Sequence, residues 1–173
     1  MGRCLSLRLS LLTLWTVAGL AVGQQSPSTA QDALPGQMSP SPPYGPPITL
    51  AQAEKVLAAA KSEAQRLKAS AIAIAVVGPY GELVAFARMD DATIHSIAYA
   101  QQKAQSAARL RRVTNTPPPE MAVALTSMPD FTAMPGGVPI VEAGRTIGGV
   151  GISGAENGGD LIIAKVASRA LQQ

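Results

Sequence analysis

The chain has 173 residues, with 14 basic and 11 acidic side chains, one cysteine (Cys4), one histidine (His95) and only 3% aromatic residues. These counts exclude a disulfide framework and a zinc centre assembled from several His and Cys ligands. No basic stripe interleaved with aromatic side chains is present, so nucleic-acid binding has no support.

Residues 1–23 read as a secretory signal. Arg3 and Arg8 form a positive start, and an apolar stretch from Leu9 to Val22 follows. Ala21-Val22-Gly23 fits a small-x-small cleavage site, with the cut before Gln24. The stretch is about 14 residues long, short of the roughly 20 that a spanning helix needs. The alternative is an uncleaved anchor. Cleavage predicts a periplasmic or secreted protein with no stable membrane span. It also removes Cys4 and two arginines, leaving 12 basic residues against 11 acidic ones. Stability must then come from packing, subunit packing included.

Gln24 to Pro47 is rich in Pro, Ser, Gln and Gly without apolar periodicity, the composition of a disordered leader. Residues 48–173 read as one domain. Thr49 and Gln52 have capping-box spacing, and Leu50, Ala53, Val56, Leu57, Ala60, Ala64 and Leu67 share one helical face. Ala71 to Val77 is a continuous apolar run, suited to a strand covered on both faces. Gly78-Pro79-Tyr80-Gly81 reads as a turn into a second strand, Glu82 to Met89.

Asp91 or Thr93 caps a second helix, Ile94 to Arg112, which carries a small-residue face including Ala100, Ala104 and Ala108. Arg109, Arg111 and Arg112 crowd its last turn, either as an anion patch or as cations favoured by the negative helix end; the second reading is preferred. Pro117 to Pro119 break the helix, and Met121 to Leu125 suggest a short one. Val138 to Glu142 and Thr146 to Ser153 form a second hairpin, and a last helix covers Asp160 to Leu171. Gly148, Gly149, Gly151 and Gly154 permit close approach of either a planar ligand or a packed backbone, with packing favoured. The order α-β-β-α-(α)-β-β-α describes an α+β domain with helices packed on an antiparallel sheet.

Three blocks carry a family resemblance. They are Leu50-Ala51-Gln52-Ala53; Ala87-Arg88-Met89-Asp90-Asp91-Ala92 with Ser96-Ile97 and Lys103-Ala104; and Gly136-Gly137-Val138-Pro139-Ile140 with Ile147-Gly148-Gly149-Val150-Gly151-Ile152-Ser153-Gly154. Together they resemble the GlcG/HbpS-like, or haem-degrading and haem-binding, domain family. The resemblance implies a profilin- or PAS-like antiparallel sheet with packed helices. It also implies homo-oligomers, octamers among them, and haem or a similar small planar ligand as cofactor.

On that basis the candidate cofactor residues are His95, Arg88, Lys103 and Met89. His95 is either an axial iron ligand or a solvated histidine near a helix start. Arg88 and Lys103 are suited to haem propionates; Arg88 is equally suited to an ion pair with Asp90 or Asp91. Met89, Met121, Met128 and Met134 either line an apolar pocket, supply a thioether, or fill the core, the last being preferred. The function expected is an exported, oligomeric binding protein. A haem-degrading or small-metabolite enzyme and a ligand-free accessory oligomer stand as the alternatives, and the catalytic residues are undefined.

Overall fold

The computed structural model describes residues 40–117, 124, 125 and 127–172. The stretch expected to be an export signal, the expected leader up to residue 39 and most of the short helix expected at Met121 to Leu125 lie outside them. Among the described residues no helix is long and apolar enough to cross a membrane.

Local sequence chemistry sets the element starts. Helix α1 spans Leu50–Arg66, and its capping box closes as the Thr49/Gln52 spacing requires. Gln52 N donates to Thr49 Oγ1 at 3.3 Å, and Thr49 N donates to Gln52 Oε1 at 3.0 Å. Two N–H groups near the helix start, which helical bonding leaves without partners, are thereby satisfied. Strand β1 (Ala73–Val77) is buried along its whole length, as a continuous apolar run demands. Strand β2 (Leu83–Arg88) returns through a turn in which Gly81 adopts φ +95°. Helix α2 (Ile94–Leu110) is capped by Thr93, whose hydroxyl accepts from Ser96 N. Strands β3 (Gly137–Glu142) and β4 (Arg145–Ser153) form the second hairpin, and helix α3 covers Gly159–Ala167. The last helix is shorter than expected, giving way to turns after Ala167.

The sheet order is β2-β1-β4-β3, with every neighbour antiparallel. Period-two alternation divides β1 between two cores. Ile72, Ile74 and Val76 face α1 and α3, together with Val150, Ile152 and Ile140. Ala73, Ala75 and Val77 face Ala100, Ala104 and Ala108 of α2. The result is the expected α+β arrangement, an antiparallel sheet between helical layers.

The glycines of β4 explain how closely α2 lies. A Cβ at Gly149 would stand 2.5 Å from Ala104 O, and one at Gly151 would run into Ala100 O and Ala104 N. Alanines on the helix and glycines on the strand let two backbones touch, so these glycines serve packing.

The boundary of the leader is corrected. Residues 41–47, assigned to it on composition, are docked on the domain. Tyr44 forms a parallel bridge with Thr146; Thr146 N donates to Pro43 O at 2.8 Å, and Gly45 N donates to Thr146 O at 2.8 Å. The physical reason is an open edge. The pairing of β1 with β4 stops at Gly149, so the start of β4 presents backbone groups that this segment satisfies.

Candidate functional site

The four residues singled out from the sequence do not converge on one cavity. His95 is exposed on the first turn of α2, its ring centroid 4.3 Å from that of Tyr99. Arg88 is exposed at the end of edge strand β2, and its Nη2 donates to the backbone oxygen of Asp90 at 3.3 Å. That contact replaces the alternative of an ion pair with a neighbouring carboxylate. Met89 is half-buried against the core shared with α1 and α3.

Lys103 is committed elsewhere. Its side chain is 1% exposed, and Nζ donates to Asp160 Oδ2 at 2.7 Å and to Ile152 O at 2.9 Å. The assignment of Lys103 to a haem propionate is therefore corrected: the hydrogen bonds that a buried lysine head needs in place of water come from Asp160 and Ile152, so it is not turned toward a ligand. Asp160 Oδ1 in turn accepts from Ala155 N at 2.8 Å. This junction ties α2, β4 and the start of α3 together.

Gly136 and Gly137 sit directly on the junction. A Cβ at Gly136 would lie 2.7 Å from Ile152 O and 3.1 Å from Lys103 Nζ, and a Cβ at Gly137 would meet Lys103 O. Gly136 also holds φ +125°, a conformation that glycine adopts readily. The Gly-Gly pair is thus required by close approach to Lys103.

The segment leading into that pair walls an open, largely apolar cleft of about 490 Å³, lined by Thr116, Pro117, Leu125, Phe131, Thr132, Ala133, Met134 and Pro135. Met134 is 48% exposed in its wall, so this methionine is not core filler. Three buried hydroxyls hold the wall. Thr132 N donates to Ser106 Oγ at 2.9 Å. Thr114 Oγ1 donates to Met134 O at 2.7 Å and accepts from Gly137 N at 2.8 Å. Met134 N donates to Thr132 Oγ1 at 3.2 Å. Ser106, Thr114 and Thr132 are residues that sequence reasoning passed over. Ser106 offered a faint signal, as a hydroxyl beside the alanine face of α2.

A second cleft, of about 470 Å³, lies between the α1–β1 loop and the start of α3, with Lys68, Ser70, Glu156 and Asn157 in its lining. None of His95, Arg88, Met89 and Lys103 lines either cleft. Among the described residues no group of three or more His, Cys, Asp or Glu side chains is placed to hold a metal ion.

Comparison with known proteins places this architecture. The chain is 39% identical to protein GlcG of Escherichia coli K12 over 105 residues, covering 58% of this chain and 77% of that protein. An HbpS variant of Streptomyces reticuli superposes with a TM-score of 0.67 at 27% identity, covering 80% of this chain and 94% of that one. PduOC, solved as a complex with heme, superposes with a TM-score of 0.64 at 25% identity, covering 72% and 94%. The family described as haem degrading protein HbpS-like matches residues 48–169, and the chain belongs to that family.

Proposed function

We propose that this protein binds haem, or a planar ligand of similar size and polarity, in the cleft walled by residues 131–135. The observation that carries the reading is the cleft itself: a largely apolar opening of about 490 Å³ with an aromatic ring and an exposed thioether in its lining. Pockets for small ligands typically hold ~300–1,000 Å³ and combine apolar walls with a few fixed polar groups. Here those groups are Thr116 and Thr132. The residues fit a porphyrin in kind: Phe131 offers a stacking face, and the Met134 sulfur is a known type of axial iron ligand. Membership of a haem-related family and likeness to a protein solved with heme support the choice of ligand.

The second reading keeps the iron ligand at His95, whose imidazole is exposed beside the Tyr99 ring. Haem degradation is the enzymatic alternative, favoured by the family's description. Export to the periplasm or beyond, and assembly into a homo-oligomer, belong to the same proposal and rest on the sequence of residues 1–23 and on the family resemblance.

Titration of the purified protein with haemin tests the binding reading. A saturable shift of the Soret band at micromolar protein is expected, and an absorbance identical to free haemin would overturn it. Haem loss with product formation under reductant would move the assignment to an enzyme. Light scattering on the purified protein reports assembly, and a monomer at micromolar concentration overturns the oligomer.

A further inference from the structure

The end of α2 and the start of β4 place three guanidinium groups against the backbone and rings of Tyr44, Pro42 and Tyr80. Arg109 Nε donates to Tyr80 O at 3.1 Å. Arg111 Nη1 donates to Pro42 O at 3.2 Å, and its guanidinium carbon lies 4.7 Å from the centroid of the Tyr44 ring. Arg145 Nη1 donates to Tyr44 O at 3.0 Å. Tyr44 joins the parts: its hydroxyl donates to Arg109 O at 2.6 Å, and its ring centroid lies 6.2 Å from that of Tyr80.

Each of these guanidinium contacts is to a neutral partner, a carbonyl or a ring face. The ion pairs found among the described residues, Arg66 with Glu63 and Lys103 with Asp160, involve none of the three. Two carboxylates lie near, and neither forms an ion pair with these arginines. Glu82 Oε2 accepts from Tyr80 N, and Glu142, opposite Arg145 in the hairpin, accepts from Gln52 Nε2. Carbonyl contacts hold a guanidinium in place without neutralising it. Donors held in this way lose less freedom when an anion arrives. Arg111 Nε is buried without a hydrogen-bond partner, so one donor of the cluster is already stripped of water and unused. The negative end of α2 accounts for a cation in its last turn. It does not account for Arg145, the first residue of β4, nor for the Tyr80 ring, 69% exposed beside Arg109.

We propose that this arginine–tyrosine cluster binds a ligand carrying two or more phosphate groups. The planar guanidinium fork matches phosphate oxygens two at a time, and three separately anchored forks call for more than one phosphate. Soluble polyphosphates and anionic phospholipid headgroups share this chemistry. The site is distinct from the apolar cleft, so it stands or falls independently of haem binding.

Calorimetric titration with inorganic tripolyphosphate, and co-sedimentation with phosphatidylglycerol vesicles against phosphatidylcholine vesicles, test the site and its source of phosphate. Saturable binding of at least one probe is expected, weakening as salt rises. Arg109→Gln and Arg145→Gln should each weaken it about five-fold, the effect of one interfacial cation. Arg109→Lys and Arg145→Lys keep the charge and lose the fork, and should fall between the parent and the Gln variants. Lys55→Gln with Lys61→Gln removes two charges from the exposed side of α1 and should leave binding unchanged. Tripolyphosphate binding alone assigns a soluble ligand, and vesicle binding alone assigns a lipid surface. Failure of both probes overturns the site, as does equal weakening by the Lys55/Lys61 pair, which would reduce it to net-charge attraction.

Discussion

Lys103 Nζ and Asp160 Oδ2 meet at 2.7 Å, 57 residues apart in sequence, and close a charged junction beneath α2. Lys103 is enclosed, whereas the Asp160 side chain keeps 15% exposure, so removing the lysine strands a carboxylate at the rim and removing the aspartate strands an ammonium inside. Breaking a buried pair from one side costs about 3–5 kcal/mol. We expect Lys103→Met to lie near the lower end of that range and Asp160→Ala near the upper. The double variant should cost less than the sum of the singles, because each single leaves a partner uncompensated. Urea unfolding of the four proteins measures the coupling, and strict additivity would sink the argument.

Thr114 provides a link from this junction to the cleft. Its hydroxyl bridges Met134 O and Gly137 N while buried. Thr114→Val preserves shape and removes the bridge, leaving buried groups unpaired at a cost of about 1–3 kcal/mol. Haemin affinity should fall alongside stability, because Met134 loses the bond that holds its backbone. Retention of full affinity would show that the wall does not shape the site.

The two readings of the iron ligand separate cleanly by substitution. Phe131 and Met134 line the cleft, and His95 lies outside it. Phe131→Ala should weaken haemin binding by tenfold or more, the equivalent of roughly 1.5–3 kcal/mol of buried apolar surface. Met134→Ala should shift the Soret maximum, and His95→Ala should leave it in place. The opposite pattern, a spectrum that responds to His95 alone, would move the ligand to the outer surface of α2.

Gly151 tests the backbone-on-backbone packing of α2. An added methyl group there runs into Ala100 O, whereas one at Gly144 meets nothing within 4 Å. Gly151→Ala should destabilise by about 3 kcal/mol, the upper end for overpacking a tight interior. Gly144→Ala pays only for its positive φ, roughly 1 kcal/mol. Thermal melts of both variants make the comparison, and equal effects would contradict it.

Glu63 contributes to acid sensitivity. Arg66 donates to both Glu63 oxygens, at 2.7 and 2.6 Å, and this hydrogen bonding holds the Glu63 carboxyl below its ordinary value despite the opposing effect of burial. A depressed carboxyl contributes stability above its unfolded value and loses it as pH falls through the folded one. Glu63→Gln should therefore be less stable than the parent at neutral pH. The gap should begin to close below about pH 4.3, the ordinary glutamate value, and vanish once the native carboxyl is protonated. A gap that persists in strong acid would exclude this cause.

Where a feature depends on near neighbours in the chain, the residues announce it. Thr49 with Gln52 and the three- and four-residue apolar spacing mark α1; the unbroken run at Ile72 to Val77 marks a central strand; Gly78 to Gly81 marks a hairpin. Each rests on hydrogen bonds or periodicities that close within a few residues, so element order and the antiparallel α+β class follow from sequence by itself. Family membership was legible for the same reason, in the Arg88-Met89-Asp90 and Gly136-Gly137-Val138-Pro139 blocks.

The tertiary structure alone decided which polar groups face water. Lys103 looks like any helical lysine until Asp160 and Ile152 O close over it. Tyr44 looks like part of a Pro-rich leader until the unpaired start of β4 accepts its neighbours. The cleft depends on hydroxyls at 106, 114 and 132 that meet only when α2 lies against the Gly-Gly turn. Burial and distant pairing are set by how layers stack, and no local pattern of residues encodes them.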